Sequence, residues 1–201
     1  MLTAVGLGPG DAELLTLRAV RLLSEADTVF VPGGIAQDLV KPYAKKIVAL
    51  EFPMTRDEEV ITACMERNAE KIVPVAKNGK AVFGLIGDPN FYSTFSRLAE
   101  MVRARYPGLE VTTVPGISSI TAVASHAEIP VNGAFLVTDG PDVPATKILM
   151  KVTHSREKAE MRKTERYSDF LVVSRLSMDG ECVRRGAWSE TTNDFSSMIA
   201  R

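Results

Sequence analysis

The chain has 201 residues, 45% of them hydrophobic and 24% charged, and its 24 Lys and Arg offset 25 Asp and Glu to leave a net charge of −1. Such a composition excludes a disordered chain, and the charge balance removes the electrostatic footprint of sequence-independent DNA or RNA binding. The start carries neither the basic segment nor the apolar stretch of a signal peptide, and the longest apolar run, Ala81–Gly87, falls far short of a membrane span, so a soluble, cytoplasmic protein is expected.

Short β-branched runs at Leu2–Leu7, Thr28–Val31, Ile47–Leu50, Ala81–Ile86 and Val111–Val114 alternate with longer segments of helical period. This is the βαβ pattern of an α/β fold built on a mainly parallel sheet covered on both faces. The first helix is predicted from Leu14, Leu15, Leu17, Val20, Leu22 and Leu23, with Asp11 and Glu13 at the positive end of its dipole. A second spans Asp57 to Asn78 and closes on Asn78-Gly79 as a left-handed C-cap. A third runs from Tyr92 to Tyr106 and stops at Pro107-Gly108. Beyond Val114 the texture changes to Pro115-Gly116, a small-residue helix from Ser118 to Ala127, and shorter strands at Ala134–Thr138, Lys147–Val152, Phe170–Ser174 and Phe195–Ala200. The segment from Ser155 to Arg166 reads as an exposed charged helix. These features predict two α/β domains, 1–114 and 115–201. Cys64 and Cys182 lack a CxxC or a His at ligand spacing and read as reduced apolar thiols, so no metal site is expected.

In open α/β sheets ligands sit outside the carboxyl ends of the strands, which directs attention to three loops. Gly6-Leu7-Gly8-Pro9-Gly10-Asp11 follows the first strand. Its glycines permit close backbone approach, but Asp11 stands where a dinucleotide loop has its third glycine, and Pro9 has no N–H to offer a phosphate. Such a loop suits a neutral or cationic ligand, a sulfonium among them; read without a ligand, it is a tight turn with Asp11 as a helix cap. Gly87-Asp88-Pro89-Asn90-Phe91-Tyr92-Ser93 ends a fully apolar strand, with Asp88 either projecting from the strand tip into a cleft or forming an Asx turn. Val114-Pro115-Gly116-Ile117-Ser118-Ser119 follows another strand, with two hydroxyls that cap the next helix or face a ligand.

Taken together, VGLGPGDAELLTLRAVRLLSEADTVFVP (Val5 to Pro32), GDPNFYSTF (Gly87 to Phe95), VPGISSITAVASHAEIP (Val114 to Pro130) and ILMKV (Ile148 to Val152) resemble the class III S-adenosylmethionine (SAM) methyltransferases, the tetrapyrrole methylases. Gly-Asp-Pro before Phe-Tyr-Ser-Thr-Phe, with Phe-Val-Pro after the second strand, is most similar to the precorrin-2 / cobalt-factor II C-20 branch. The resemblance implies two α/β domains with SAM held in a cleft between them, a neighbouring trough for a tetrapyrrole, and a homodimer. Carried over by position, the SAM contacts fall on Pro9, Ile86, Gly87, Asp88, Phe91, Ser118, Ser119, Met150 and Leu176. An Asp given a proton-accepting role in the sirohaem-forming branch is here Pro32, which speaks against uroporphyrinogen as substrate and leaves the base unnamed.

The chemistry so implied is methyl transfer from the sulfonium to an electron-rich meso carbon, which requires in-line placement and exclusion of water more than strong base catalysis. Asp11, Asp88 and Tyr92 are the candidates for removing the final proton. Arg97, Lys147, Lys151 and Arg175 are candidates for meeting the ring carboxylates, whereas His126 and His154 read as structural rather than as cobalt ligands. Rival readings are another target of the same fold (a different corrin position, uroporphyrinogen, a diphthamide precursor or ribosomal RNA) or a non-catalytic nucleotide- or tetrapyrrole-binding module.

Overall fold

The computed structural model describes residues 1–132, 136–137, 147–149, 170–175, 179–185 and 196–200. Two compact units divide the chain, Met1–Ser118 and Ser119–Arg201. In the first, β1 (Leu2–Gly6), β2 (Thr28–Val31), β3 (Ile47–Ala49), β4 (Ala81–Leu85) and β5 (Val111–Val114) form a parallel sheet in the order β3-β2-β4-β1-β5. Every residue of β1, β2 and β4 is buried, as a parallel sheet covered on both faces requires.

Side chains alternate between two cores with the period of two that a strand imposes. Leu2, Ala4, Phe30, Phe83 and Leu85 belong to one core with Ile72 of α3 (Glu58–Asn78) and Leu98 of α4 (Phe95–Arg105). Val5, Val29, Val31 and Val82 belong to the other with Leu23 of α1 (Leu17–Glu25) and Leu39 of α2 (Gly34–Val40). Phe83 anchors the first core, stacked on Phe95 at 5.5 Å and edge-on to Phe52 at 5.8 Å.

Local chemistry moves several expected boundaries. The first helix is split: Asp11 caps a 3-10 turn at Ala12–Leu14, and α1 begins only after Thr16, whose Oγ1 accepts the Ala19 amide at 3.1 Å. α3 starts where expected, with Asp57 Oδ1 accepting the amides of Glu59 and Val60. Its end differs. Gly79 has φ −174°, an extended conformation rather than a left-handed cap, and a Cβ there would lie 2.2 Å from Asp27 Oδ2, the oxygen that accepts the Lys80 amide. Close approach, not positive φ, is the reason for that glycine. At the same edge Lys80 Nζ lies 3.1 Å from Glu25 Oε2 and holds the Glu25 carboxyl below its usual pKa. α4 begins at Phe95 rather than Tyr92, because Tyr92 has φ +50° and Ser93 Oγ accepts the Phe95 amide. α2 was not expected, since Pro32-Gly33-Gly34 reads locally as loop.

The second unit opens with α5 (Ser119–His126), whose Ile120 and Val123 pack with Ala127, Ile129 and Val137. Its sheet orders β6 (Leu136–Val137), β7 (Lys147–Leu149), β10 (Ser196–Ala200), β8 (Phe170–Ser174) and β9 (Cys182–Arg185) as β6-β7-β10-β8-β9. Only β6 and β7 pair in parallel; β10 runs antiparallel to β7 and β8, and β8 to β9. The antiparallel pairing of β8 and β9 follows from their short connection, too short for a parallel crossover. β9 itself carries no strand pattern, its four residues all exposed. The stretch from Ser155 to Arg166, with His154 and Lys151, lies outside the described residues. No helix of the described residues is long and apolar enough to cross a membrane.

Candidate active site at the strand tips

Because β4, β1 and β5 are neighbours, the three loops singled out from sequence emerge side by side. The chain leaves β1 under α1 on one face and leaves β4 toward α4 on the other, so the connections diverge between these two strands. Beyond the carboxyl ends of such diverging strands is where open α/β sheets bind their ligands.

Backbone contacts knit the loops. Leu7 N donates to Leu85 O at 2.8 Å, and Gly8 and Gly87 form an antiparallel bridge in which Gly87 N donates to Gly8 O at 2.7 Å. Gly116 closes the junction: a Cβ on it would lie 2.3 Å from Gly87 O, and a Cβ on Gly6 would lie 2.5 Å from both Gly87 O and Gly116 N. Glycine is thus compulsory at Gly6 and Gly116 for packing, whereas Gly87 has φ +78° and nothing within 4 Å of its ideal Cβ position. The Gly87 surface faces open space.

Asp88 is buried, 8% exposed, and its carboxylate joins two loops. Oδ1 accepts the Asn90 amide at 2.8 Å, the Asx turn, while Oδ2 accepts the Gly116 amide at 3.2 Å. Asp11 accepts the Glu13 amide at 2.9 Å as a cap. Of the three candidate proton acceptors, both carboxylates therefore hold loop backbone, and Tyr92 stands 49% exposed. Pro9 is buried, Ile86 partly buried and Phe91 55% exposed. Ser118 ends the first unit and Ser119 opens α5, both partly buried. Met150 and Leu176 lie outside the described residues. Sequence reasoning missed the mutual contact of Gly6, Gly87 and Gly116; its signal was a glycine at or within two residues of the end of each of three strands.

The expected ring anchors fare differently. Arg97, a candidate for meeting the ring carboxylates, is engaged by both carboxylate oxygens of Glu58, at 2.9 and 3.2 Å, which ties α4 to α3. Lys147 starts β7, and Arg175 is exposed with φ +56°. His126 pairs with Glu181 at 2.6 Å within the second unit. Cys64 is buried against Glu51 O, and Cys182 is exposed. Among the described residues no three His, Cys, Asp or Glu converge to hold a metal ion. The second unit has a separate hollow of about 540 Å³ beside α5, lined by Ile120, Ala124, Ile129, Pro130 and Val131 together with Thr121, Ser125 and Glu128.

The donor set decides what the strand-tip crevice can hold. The amides of Leu7, Gly87, Asn90, Phe91 and Gly116 are engaged by Leu85, Gly8 and Asp88, so these five cannot converge on a phosphate. The buried Asp88 carboxylate brings negative charge to the strand tips, which suits a cationic ligand such as a sulfonium better than an anion.

The model of the Tetrapyrrole (Corrin/Porphyrin) Methylases matches residues 1–191. The chain belongs to this family. As a methylase it is 34% identical to a probable cobalt-precorrin-2 C(20)-methyltransferase of Methanocaldococcus jannaschii, over 96% of this chain and 92% of that one. It is 30% identical to the cobalt-precorrin-2 C(20)-methyltransferase of Salmonella typhimurium, over 90% of this chain and 85% of that one. The methylase fold is shared with the uroporphyrin-III C-methyltransferase of Thermus thermophilus solved with S-adenosyl homocysteine, at TM-score 0.71 and 21% identity, covering 99% of this chain and 91% of that one.

Proposed function

We propose that this methylase transfers a methyl group from SAM to C20 of precorrin-2 or its cobalt complex in cobalamin biosynthesis. The observation that carries the proposal is 34% and 30% identity, over 96% and 90% of this chain, with relatives named for that reaction. When bound, SAM supplies a methyl carbon made electrophilic by the neighbouring sulfonium. In this proposal the residues around it are Pro9, Ile86, Gly87, Asp88 and Phe91, with Ser118, Ser119, Met150 and Leu176 completing the set.

Gly87 offers a floor without a side chain, and Asp88 fixes that floor against the loop after β5 through the Gly116 amide. The meso carbon is already nucleophilic, so the protein's work is to place it about 3–3.5 Å from the methyl group and to exclude water. Asp11 and Asp88 act as loop anchors rather than bases.

We further place the enzyme in the cytoplasm as a homodimer. The reaction is tested by offering SAM with precorrin-2 and with cobalt-precorrin-2 in parallel, and reading the product by mass and NMR. One added methyl group at C20 is expected; methylation at another position, or only of uroporphyrinogen III, overturns the assignment.

A further inference from the structure

We propose that Tyr92 positions the tetrapyrrole by laying its aromatic ring against the face of the macrocycle. This deepens the methyltransferase reading and rests on it. Phe91 and Tyr92 are consecutive aromatics with 55% and 49% of their surface exposed, in a chain where only 6% of residues are aromatic. Tyr92 also has φ +50°, a left-handed conformation that is unfavourable for a bulky residue and persists only where its surroundings impose it.

The surroundings impose it here. Asn90 N donates to Asp88 Oδ1 at 2.8 Å, Phe91 N to Asp88 O at 3.3 Å, and Asn90 Nδ2 to Thr113 Oγ1 at 3.2 Å. On the far side of the tyrosine, Phe95 N donates to Ser93 Oγ at 3.0 Å. A glycine at position 92 would meet this backbone without strain, so the tyrosine answers to something other than folding.

Its place indicates what. Tyr92 lies four residues after Asp88, in the loop that follows β4 at the carboxyl edge of the sheet, where open α/β sheets bind their ligands. The ring of a tetrapyrrole is broad, flat and conjugated, and an exposed tyrosine beside that site offers a face suited to stack on it.

The test uses Tyr92→Gly and Tyr92→Phe in the intact protein, with thermal unfolding, calorimetric titration of SAM, and KM for cobalt-precorrin-2. Tyr92→Gly is expected to melt no lower than wild type and to bind SAM within about twofold, while its KM for the ring rises about tenfold, the scale of one lost aromatic contact. Tyr92→Phe is expected to match wild type in all three. An unchanged ring KM in Tyr92→Gly overturns the proposal, and so does a Tyr92→Phe as impaired as Tyr92→Gly, which would assign the role to the hydroxyl. Wild-type protein that methylates no tetrapyrrole overturns the methyltransferase reading itself, and the proposal with it.

Discussion

Two residues at the strand tips show how little room the candidate site leaves. Gly116→Ala would put a methyl group 2.3 Å from Gly87 O and 2.6 Å from the Gly6 carbonyl carbon, all backbone with no flexible partner to yield. The expected result is a loss of about 3 kcal/mol by urea unfolding, at the upper end of core overpacking, together with loss of SAM binding. Asp88→Asn is a subtler probe. Its carboxylate accepts from Asn90 N and Gly116 N on separate oxygens, and an amide has one oxygen to offer. One buried N–H then loses its partner, so a destabilisation of about 1–3 kcal/mol is expected in the same measurement. A variant as stable as wild type would show that the Asp88 bridge is not holding the loops together.

At the scale of elements, α3 carries an anomaly that its periodic pattern passes over: Pro74 sits inside the helix, exposed, where it cannot donate to the ladder. Pro74→Ala is expected to raise stability by about 1–2 kcal/mol, the helix gain less the lost restriction of the unfolded chain, seen as a higher Tm. No rise would mean that the helix has already adapted to the proline. The elements that sequence located well, β2, β5 and the start of α3, are those whose signal is local: a β-branched run, or an Asp cap ahead of a periodic stretch. What escaped depended on distant partners. Gly79 looks like a cap until Asp27 is seen against it, α2 hides behind two glycines, and β9 is a strand only because β8 lies beside it. The candidate site followed the same rule. Its three loops were legible because each punctuates a strand, whereas the Gly116 amide on Asp88 joins residues far apart in sequence and could not be inferred from either loop alone.

For the first unit, the parallel sheet with one helical pair on each face makes the connections diverge between β1 and β4, and the glycines Gly6, Gly87 and Gly116 bring the loops of that junction into backbone contact. A homodimer of the 21.9 kDa chain is expected in sedimentation velocity, and a monomer at micromolar concentration would remove that part of the proposal. The central claim is more specific: the crevice holds a sulfonium-type ligand rather than an anion. A crystal exposed to S-adenosylmethionine and pyrophosphate together tests it most directly. The account predicts electron density for S-adenosylmethionine over Gly87, beside Asp88; pyrophosphate there, or neither ligand, would contradict it.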